Sequence, residues 1–206
     1  MENFSEKLQD YIQRRIEEFY QISNARKQIL YHISNYVKDK IQNDRLMQII
    51  AICTHNSRRS FFAQAWIHAA SVYYNLVNIK SFSGGTTVSK CHPKTIKTLE
   101  HSGFHIAKLT EGDNPMYEIK LSESQPGLSF FSKKYDHPTN PQSNFLALMV
   151  CSEADSNCPF IPNAEKRISL PYDDPKAADE TPYQDEVYNQ CCAQIAREIL
   201  YAFSQV

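Results

Sequence analysis

The sequence predicts an α/β fold, an open parallel sheet flanked by helices, on three observations. Short apolar runs at 47–52 and 79–83 are each followed by a helical pattern, so strand and helix alternate. A third run, 144–150, is apolar on both faces, as a strand in the middle of a parallel sheet would be. Gly84-Gly85 directly after the second run permits a tight turn or a close approach of backbone.

The elements follow in order. Phe4, Leu8, Tyr11, Ile12, Ile16 and Phe19 recur at three- and four-residue intervals with charges between them, which predicts an amphipathic helix. Ser23 and Asn24 interrupt it, and Ile29, Leu30, Ile33, Tyr36, Val37 and Ile41 give a second period. Residues 1–45 are therefore expected to form a helical hairpin extension, and 46–206 the α/β domain. Within that domain Ser60 is the expected N-cap of a helix over 61–74, with Phe62, Ala65, Trp66, Ala69, Ala70 and Tyr73 toward the core. Pro93 suits the first turn of another helix, which stops at Gly103. The turn clusters at 112–115 and 124–127 bracket the alternating Tyr117, Ile119 and Leu121, so an inserted β-hairpin is expected within about 110–141, with 128–131 as its second arm. A last short strand is expected at 167–170 and a final helix over 183–203.

Composition narrows the function. With 42% apolar residues in 206 the chain can build a sizeable core, and 22 basic against 23 acidic side chains give no electrostatic reason to expect nucleic acid or an acidic membrane surface. The first residues, Met-Glu-Asn-Phe-Ser-Glu-Lys, lack the pattern of a signal peptide, and 145–151 is too short to span a bilayer, so a cytoplasmic protein without a membrane segment is expected. Six cysteines in that setting read as free, catalytic or redox-active thiols; Cys191 and Cys192, inside the final helix, read as small apolar core residues.

The chemistry concentrates where the first strand ends. Cys53 is followed by Thr54, His55, Asn56, Ser57, Arg58, Arg59 and Ser60, a loop between a strand and a helix start. Backbone N–H groups and the helix dipole converge there, which makes a cradle for a tetrahedral oxyanion and favours Cys53 as a thiolate. Arg59 can grip two oxygens as a planar fork. Cys151 falls at the C-terminal end of the 144–150 run, the edge of an open α/β sheet where ligands bind.

The loop, Phe82-Ser83-Gly84-Gly85-Thr86, Cys151-Ser152-Glu153-Ala154-Asp155-Ser156-Asn157-Cys158-Pro159 and Asp173-Asp174-Pro175 come in this order. In these motifs the chain resembles the thioredoxin-coupled arsenate reductases, which share their fold with the low-molecular-weight protein tyrosine phosphatases, over roughly 46–203. The resemblance implies that Cys53 is the nucleophile, Arg59 the oxyanion clamp and Asp174 the general acid. It implies that Cys151 and Cys158 are the second and third redox cysteines, that Asn56 braces the loop with Ser83 as its hydrogen-bonding neighbour, and that thioredoxin is the reductant. It implies no cofactor. Four positions depart from the family pattern: His55 stands for a glycine, Arg58 for a cysteine, and Lys176 and Ala177 for the tyrosines that follow the Asp-Pro pair in the phosphatases. Gln64 stands where some arsenate reductases bind potassium through a glutamate, so no metal site is expected.

Arsenate reduction is the first expectation, through a Cys151–Cys158 relay. A phosphatase working through a phosphocysteine is the alternative, and a non-catalytic oxyanion-binding protein the third.

Overall fold

The computed structural model describes residues 3–206; Met1 and Glu2, where the expected hairpin begins, lie outside the described residues. Two N-terminal helices come first. Helix α1 (Glu6–Glu17) is capped by Ser5, whose Oγ accepts from Leu8 N, and a 3-10 turn (Phe19–Gln21) leads to α2 (Asn24–Gln42), capped in the same way by Ser23. The interruption read at Ser23 and Asn24 is thus a stop and a fresh start.

The main sheet is built from β1 (Met47–Cys53), β2 (Ile79–Gly85), β6 (Phe145–Met149) and β7 (Ala164–Ser169), all parallel, in the order β2-β1-β6-β7. All but Gln48 in β1 and every residue of β6 are buried, as strands covered on both faces require. Helix α3 (Arg59–Tyr73) lies between the sheet and α6 (Gln184–Ser204), and is therefore apolar nearly all round. Helix α4 (Pro93–His101) starts with proline as expected. A short α5 (Ser152–Asn157) follows β6. Among the described residues no helix is long and apolar enough to cross a membrane.

Residues 105–130 form a second sheet, antiparallel, in the order β3-β4-β5 (His105–Lys108, Tyr117–Lys120, Leu128–Phe130). The expected hairpin is its β4-β5 pair, and β3 adds a third strand that the sequence reading lacked. His105-Ile106-Ala107-Lys108 does not alternate, and no residue of it is buried, so no hydrophobic period marks it as a strand. The chain leaving this sheet runs along the end of β2: Gly85 N donates to Lys133 O at 2.8 Å and Tyr135 N to Gly85 O at 2.9 Å.

The N-terminal helices are bonded into the rest. Ser34 Oγ donates to Ala202 O at 2.7 Å. Arg26 pairs with Glu198, a carboxylate only 3% exposed, and its Nη1 donates to Pro171 O at 3.1 Å, while its guanidinium lies over the Tyr172 ring. Trp66 on α3 is fully buried, stacked on Tyr11 of α1 with ring centroids 5.4 Å apart and edge-on to Phe104 at 5.1 Å.

Candidate active site

The loop from Cys53 to Arg59 is shaped by what its carbonyls bond to. Cys53 O accepts from Thr86 N, Thr54 O from Thr87 N, and Ser57 O from His92 N, while His55 O takes the hydroxyls of Ser89 and Ser132. With the carbonyls drawn outward, N–H groups are left for the inside, and Asn56 N donates to Cys53 Sγ at 3.2 Å. Asn56 itself adopts φ +45°, a left-handed conformation that asparagine tolerates. Its side chain is fully buried and holds the turn: Nδ2 donates to Ser60 Oγ at 2.9 Å and Oδ1 accepts from Lys133 N at 2.9 Å.

Two expectations are corrected here. Ser60 is not the N-cap of α3: the helix starts at Arg59 with Arg58 at the cap position, and Ser60 Oγ turns back to sit 3.1 Å from Cys53 Sγ. The hydroxyl that would have capped the helix is used on the thiol and on Asn56 instead. Ser83 is likewise not the hydrogen-bonding neighbour of Asn56. It pairs in register with Ala51, two residues short of Cys53, so its Oγ lies level with the strand, not the loop, and has no hydrogen-bond partner among the described residues; nor have Gln64 Oε1, Ser81 Oγ and Asn140 Oδ1. Asn56 is braced by Ser60 and Lys133.

Gly85, in register with Cys53, is the tightest point beneath the loop. A Cβ there would lie 2.4 Å from Thr87 O, 2.8 Å from Thr54 O and 2.9 Å from Asn56 N, all backbone atoms. Gly85→Ala is therefore expected to destabilise the fold by about 1–3 kcal/mol, the usual range for overpacking, and to displace the loop. Phosphate protection in thermal melts should fall in that variant by more than the loss of stability alone.

Cys53, His55, Ser57, Arg58, Arg59 and Asp174 line one cleft. Asp174 arrives from far along the chain because it caps the 3-10 turn Pro175–Ala178, accepting from Lys176 N at 3.0 Å. It pairs with Arg59 at 2.5 Å, and the other arm of that guanidinium donates to Tyr172 O at 2.9 Å. Asp173 does not line this cleft; with Asp174 and Cys191 it lines a second hollow. Of the loop residues only His55 is exposed and Arg58 is half-buried, while Thr54, Asn56, Ser57, Arg59 and Ser60 are buried.

Cys151 lies two residues past the end of β6, beside β1, where Val150 N donates to Ile52 O at 2.9 Å. It is fully buried at the N-cap of α5, its Sγ accepting from Ala154 N at 3.2 Å and lying 3.4 Å from Thr54 Oγ1. Thr54 Oγ1 in turn donates to Glu153 at 3.0 Å. Cys158 is at the C-cap of the same helix, half-buried, and all six cysteines are free. Seven residues of α-helix separate Cα atoms by about 10 Å along the axis, whereas a disulfide needs about 7 Å or less. The helix must open before Cys151 and Cys158 can join. It is held shut from outside, by Asp155 receiving Arg167 at 2.5 Å and Ser169 Oγ at 2.7 Å.

Several residues at the site were missed from sequence. Ser132 and Lys133 brace the loop from the inserted segment, and nothing local in the sequence marks them. Arg58 donates to the hydroxyl of Tyr188 and, at 2.5 Å, to Asp179. The Tyr188 hydroxyl donates to Asp179 at 2.7 Å, and His92 Nδ1 lies 3.1 Å from the same hydroxyl. Burial pushes the Asp179 carboxyl up, but hydrogen bonds from Tyr188 and Gln184 and the charge of Arg58 outweigh it and hold the group below its ordinary value. Burial, and then the positive charge of Arg58, push His92 down. The one available signal was an extra arginine in the loop that needed a counter-charge.

No family model matches the chain. Over 127 residues it is 29% identical to the arsenate reductase of Staphylococcus aureus (strain Newman), covering 62% of this chain and 77% of the relative. Among solved structures, a YwlE mutant from Bacillus subtilis superposes with a TM-score of 0.53 at 18% identity, over 77% of this chain and 97% of the other. The arsenate reductase from Archaeoglobus fulgidus DSM 4304 gives 0.51 at 19% identity, over 76% and 98%. A parallel sheet flanked by helices, with a cysteine-to-arginine loop between its first strand and the helix that follows, defines the class: an α/β protein of the low-molecular-weight phosphatase type. Sequence and structural likeness together support its place in the superfamily of arsenate reductases and low-molecular-weight protein tyrosine phosphatases.

Proposed function

We propose that the protein reduces arsenate to arsenite. The Cys53 thiolate attacks arsenic(V) held by the loop amides and Arg59. An arsenic–oxygen bond breaks as Asp174 gives its proton to the departing oxygen, which leaves as water. Cys151, as a thiolate, then attacks Cys53 Sγ. The sulfur–sulfur bond forms, the sulfur–arsenic pair of electrons stays on arsenic, and arsenite departs. Cys158 attacks Cys151, which returns Cys53 as a thiolate and leaves a Cys151–Cys158 disulfide. An external dithiol, proposed to be thioredoxin, reduces that bond and takes up the oxidising equivalents.

The observation that carries this reading is the position of Cys151: a second buried thiol at the end of the strand next to that of Cys53, 3.4 Å from the hydroxyl of the residue after the nucleophile. A phosphatase needs no such thiol, because water attacks its cysteine adduct. The intact α5 supports coupling of the last step to an opening of that helix.

The test is peptide mapping after one equivalent of arsenate. The parent protein should yield a Cys151–Cys158 disulfide and the Cys158→Ser variant a Cys53–Cys151 disulfide. Cys151→Ser and Cys158→Ser should each abolish multiple turnover of arsenate while leaving hydrolysis of a small aryl phosphate largely intact. No disulfide in the parent, with both serine variants fully active on its best substrate, overturns the relay in favour of a phosphatase. Phosphate protection in thermal melts without turnover of either substrate would leave an oxyanion-binding protein.

A further inference from the structure

We propose that Arg58 is a positioning residue that latches the turn carrying Asp174 through Asp179, so that the acid stays over the cleft after Arg59 has turned to the oxyanion. The proposal rests on the reading of Asp174 as general acid given above.

In the free protein both arms of Arg59 are taken, one by Tyr172 O and one by Asp174. An oxyanion in the loop competes for the second arm, since it carries the same sign of charge as the carboxylate and is held by the same amides that face Cys53. Once it wins, Asp174 has lost its ion pair, and among the described residues it has no other. What it keeps is the cap to Lys176 N, a bond inside its own turn, so its place is then set by whatever holds that turn. The turn Pro175–Ala178 has Asp174 at one end and Asp179 at the other, and consecutive arginines of the loop grip the two ends: Arg59 the first, Arg58 the second, each at 2.5 Å.

The second grip is the better built. Asp179 accepts from Arg58, from the Tyr188 hydroxyl at 2.7 Å and from Gln184 Nε2 at 3.0 Å, and Arg58 also donates to that hydroxyl. Tyr188 is fully buried on α6 and cannot follow a moving turn. A guanidinium can bond the hydroxyl and the carboxylate at once because its donors are fixed in one plane; a lysine offers one nitrogen. A turn four residues long, pinned at its far end to the loop and to a helix, leaves its near end little room to swing.

Arg58 also lines the cleft, so the rival role is a second direct grip on the anion. Two variants separate these. If Arg58 holds the anion, Arg58→Lys should weaken phosphate binding and Asp179→Asn should not. If it latches the turn, both variants should bind phosphate within about threefold of the parent and lose about ten- to a hundredfold in kcat, part of what a positioned acid contributes. With Asp174→Asn already present, Asp179→Asn should cost nothing further. Hydrogen exchange reads the latch without turnover: with saturating phosphate, the amides of Ala177 and Asp179 should stay protected in the parent and exchange at least tenfold faster in Asp179→Asn. Unchanged exchange in Asp179→Asn with phosphate bound, or losses that multiply in the double variant, would overturn the latch. Faster exchange in Asp179→Asn together with an Asp174→Asn enzyme of unchanged turnover would keep the latch and remove Asp174 as the acid.

Discussion

Replacing Cys53 by serine is expected to lower turnover of arsenate and of aryl phosphates alike by roughly four to six orders of magnitude, the scale on which an enzyme loses its nucleophile. The sulfur sits at the focus of the loop, receiving Asn56 N at 3.2 Å with the Ser60 hydroxyl 3.1 Å away. Serine fits that space, and the carbonyl bonds that shape the loop do not pass through the side chain. The cradle should therefore survive the change and the chemistry should not. Paired measurements check this: kcat/KM on both substrates, and the protection that phosphate gives in thermal melts. Activity above about a hundredth of the parent's would remove Cys53 from the role of nucleophile, and loss of phosphate protection would mean that the thiol shapes the loop as well.

The largest effect on stability is expected from Trp66→Ala. Deleting a fully buried tryptophan costs about 3–5 kcal/mol, through lost burial and the cavity left behind. Here the ring also stacks on Tyr11, meets Phe104 edge-on and donates to Cys192 Sγ at 3.2 Å, so α1, α3, the residue before β3 and α6 lose a common contact. In a chain of this length the melting temperature should fall by about 6–20 °C. Equilibrium unfolding in denaturant gives the same quantity independently. A loss under about 1.5 kcal/mol would show that the surrounding helices collapse into the space.

Much of the architecture is legible because it rests on hydrophobic period and on capping chemistry, both of which are local. Ser23, Pro93 and the apolar run before Cys151 each announce their element. The same holds for Cys53 and Arg59, which lie on one short loop. What sequence could not give are the partners that tertiary structure brings in. Ser60 has the chemistry of a helix cap and serves a thiol; Asn56 needs a brace, and Lys133, 77 positions away, supplies it with a backbone N–H that any residue could offer. Arg58 was visible as a departure, but Tyr188, its partner across 130 positions, was not. Strand β3 was missed for a third reason, since it is half-exposed and its residues have no period to read.

The bond from Arg26 to Pro171 O has a consequence for how the protein can vary. Pro171 stands three residues before Asp174, and the same arginine neutralises Glu198, whose carboxylate would otherwise sit without a counter-charge in a nearly closed interior, bonded to Gln194 Nε2. A substitution at position 26 is therefore felt in two places at once, at the foot of the turn that carries Asp174 and in the last helix. Residues 26 and 198 should drift together among descendants of this sequence, while position 171, which offers only a backbone carbonyl, need not follow them; a lineage that discards the first two helices must first find Glu198 an uncharged replacement.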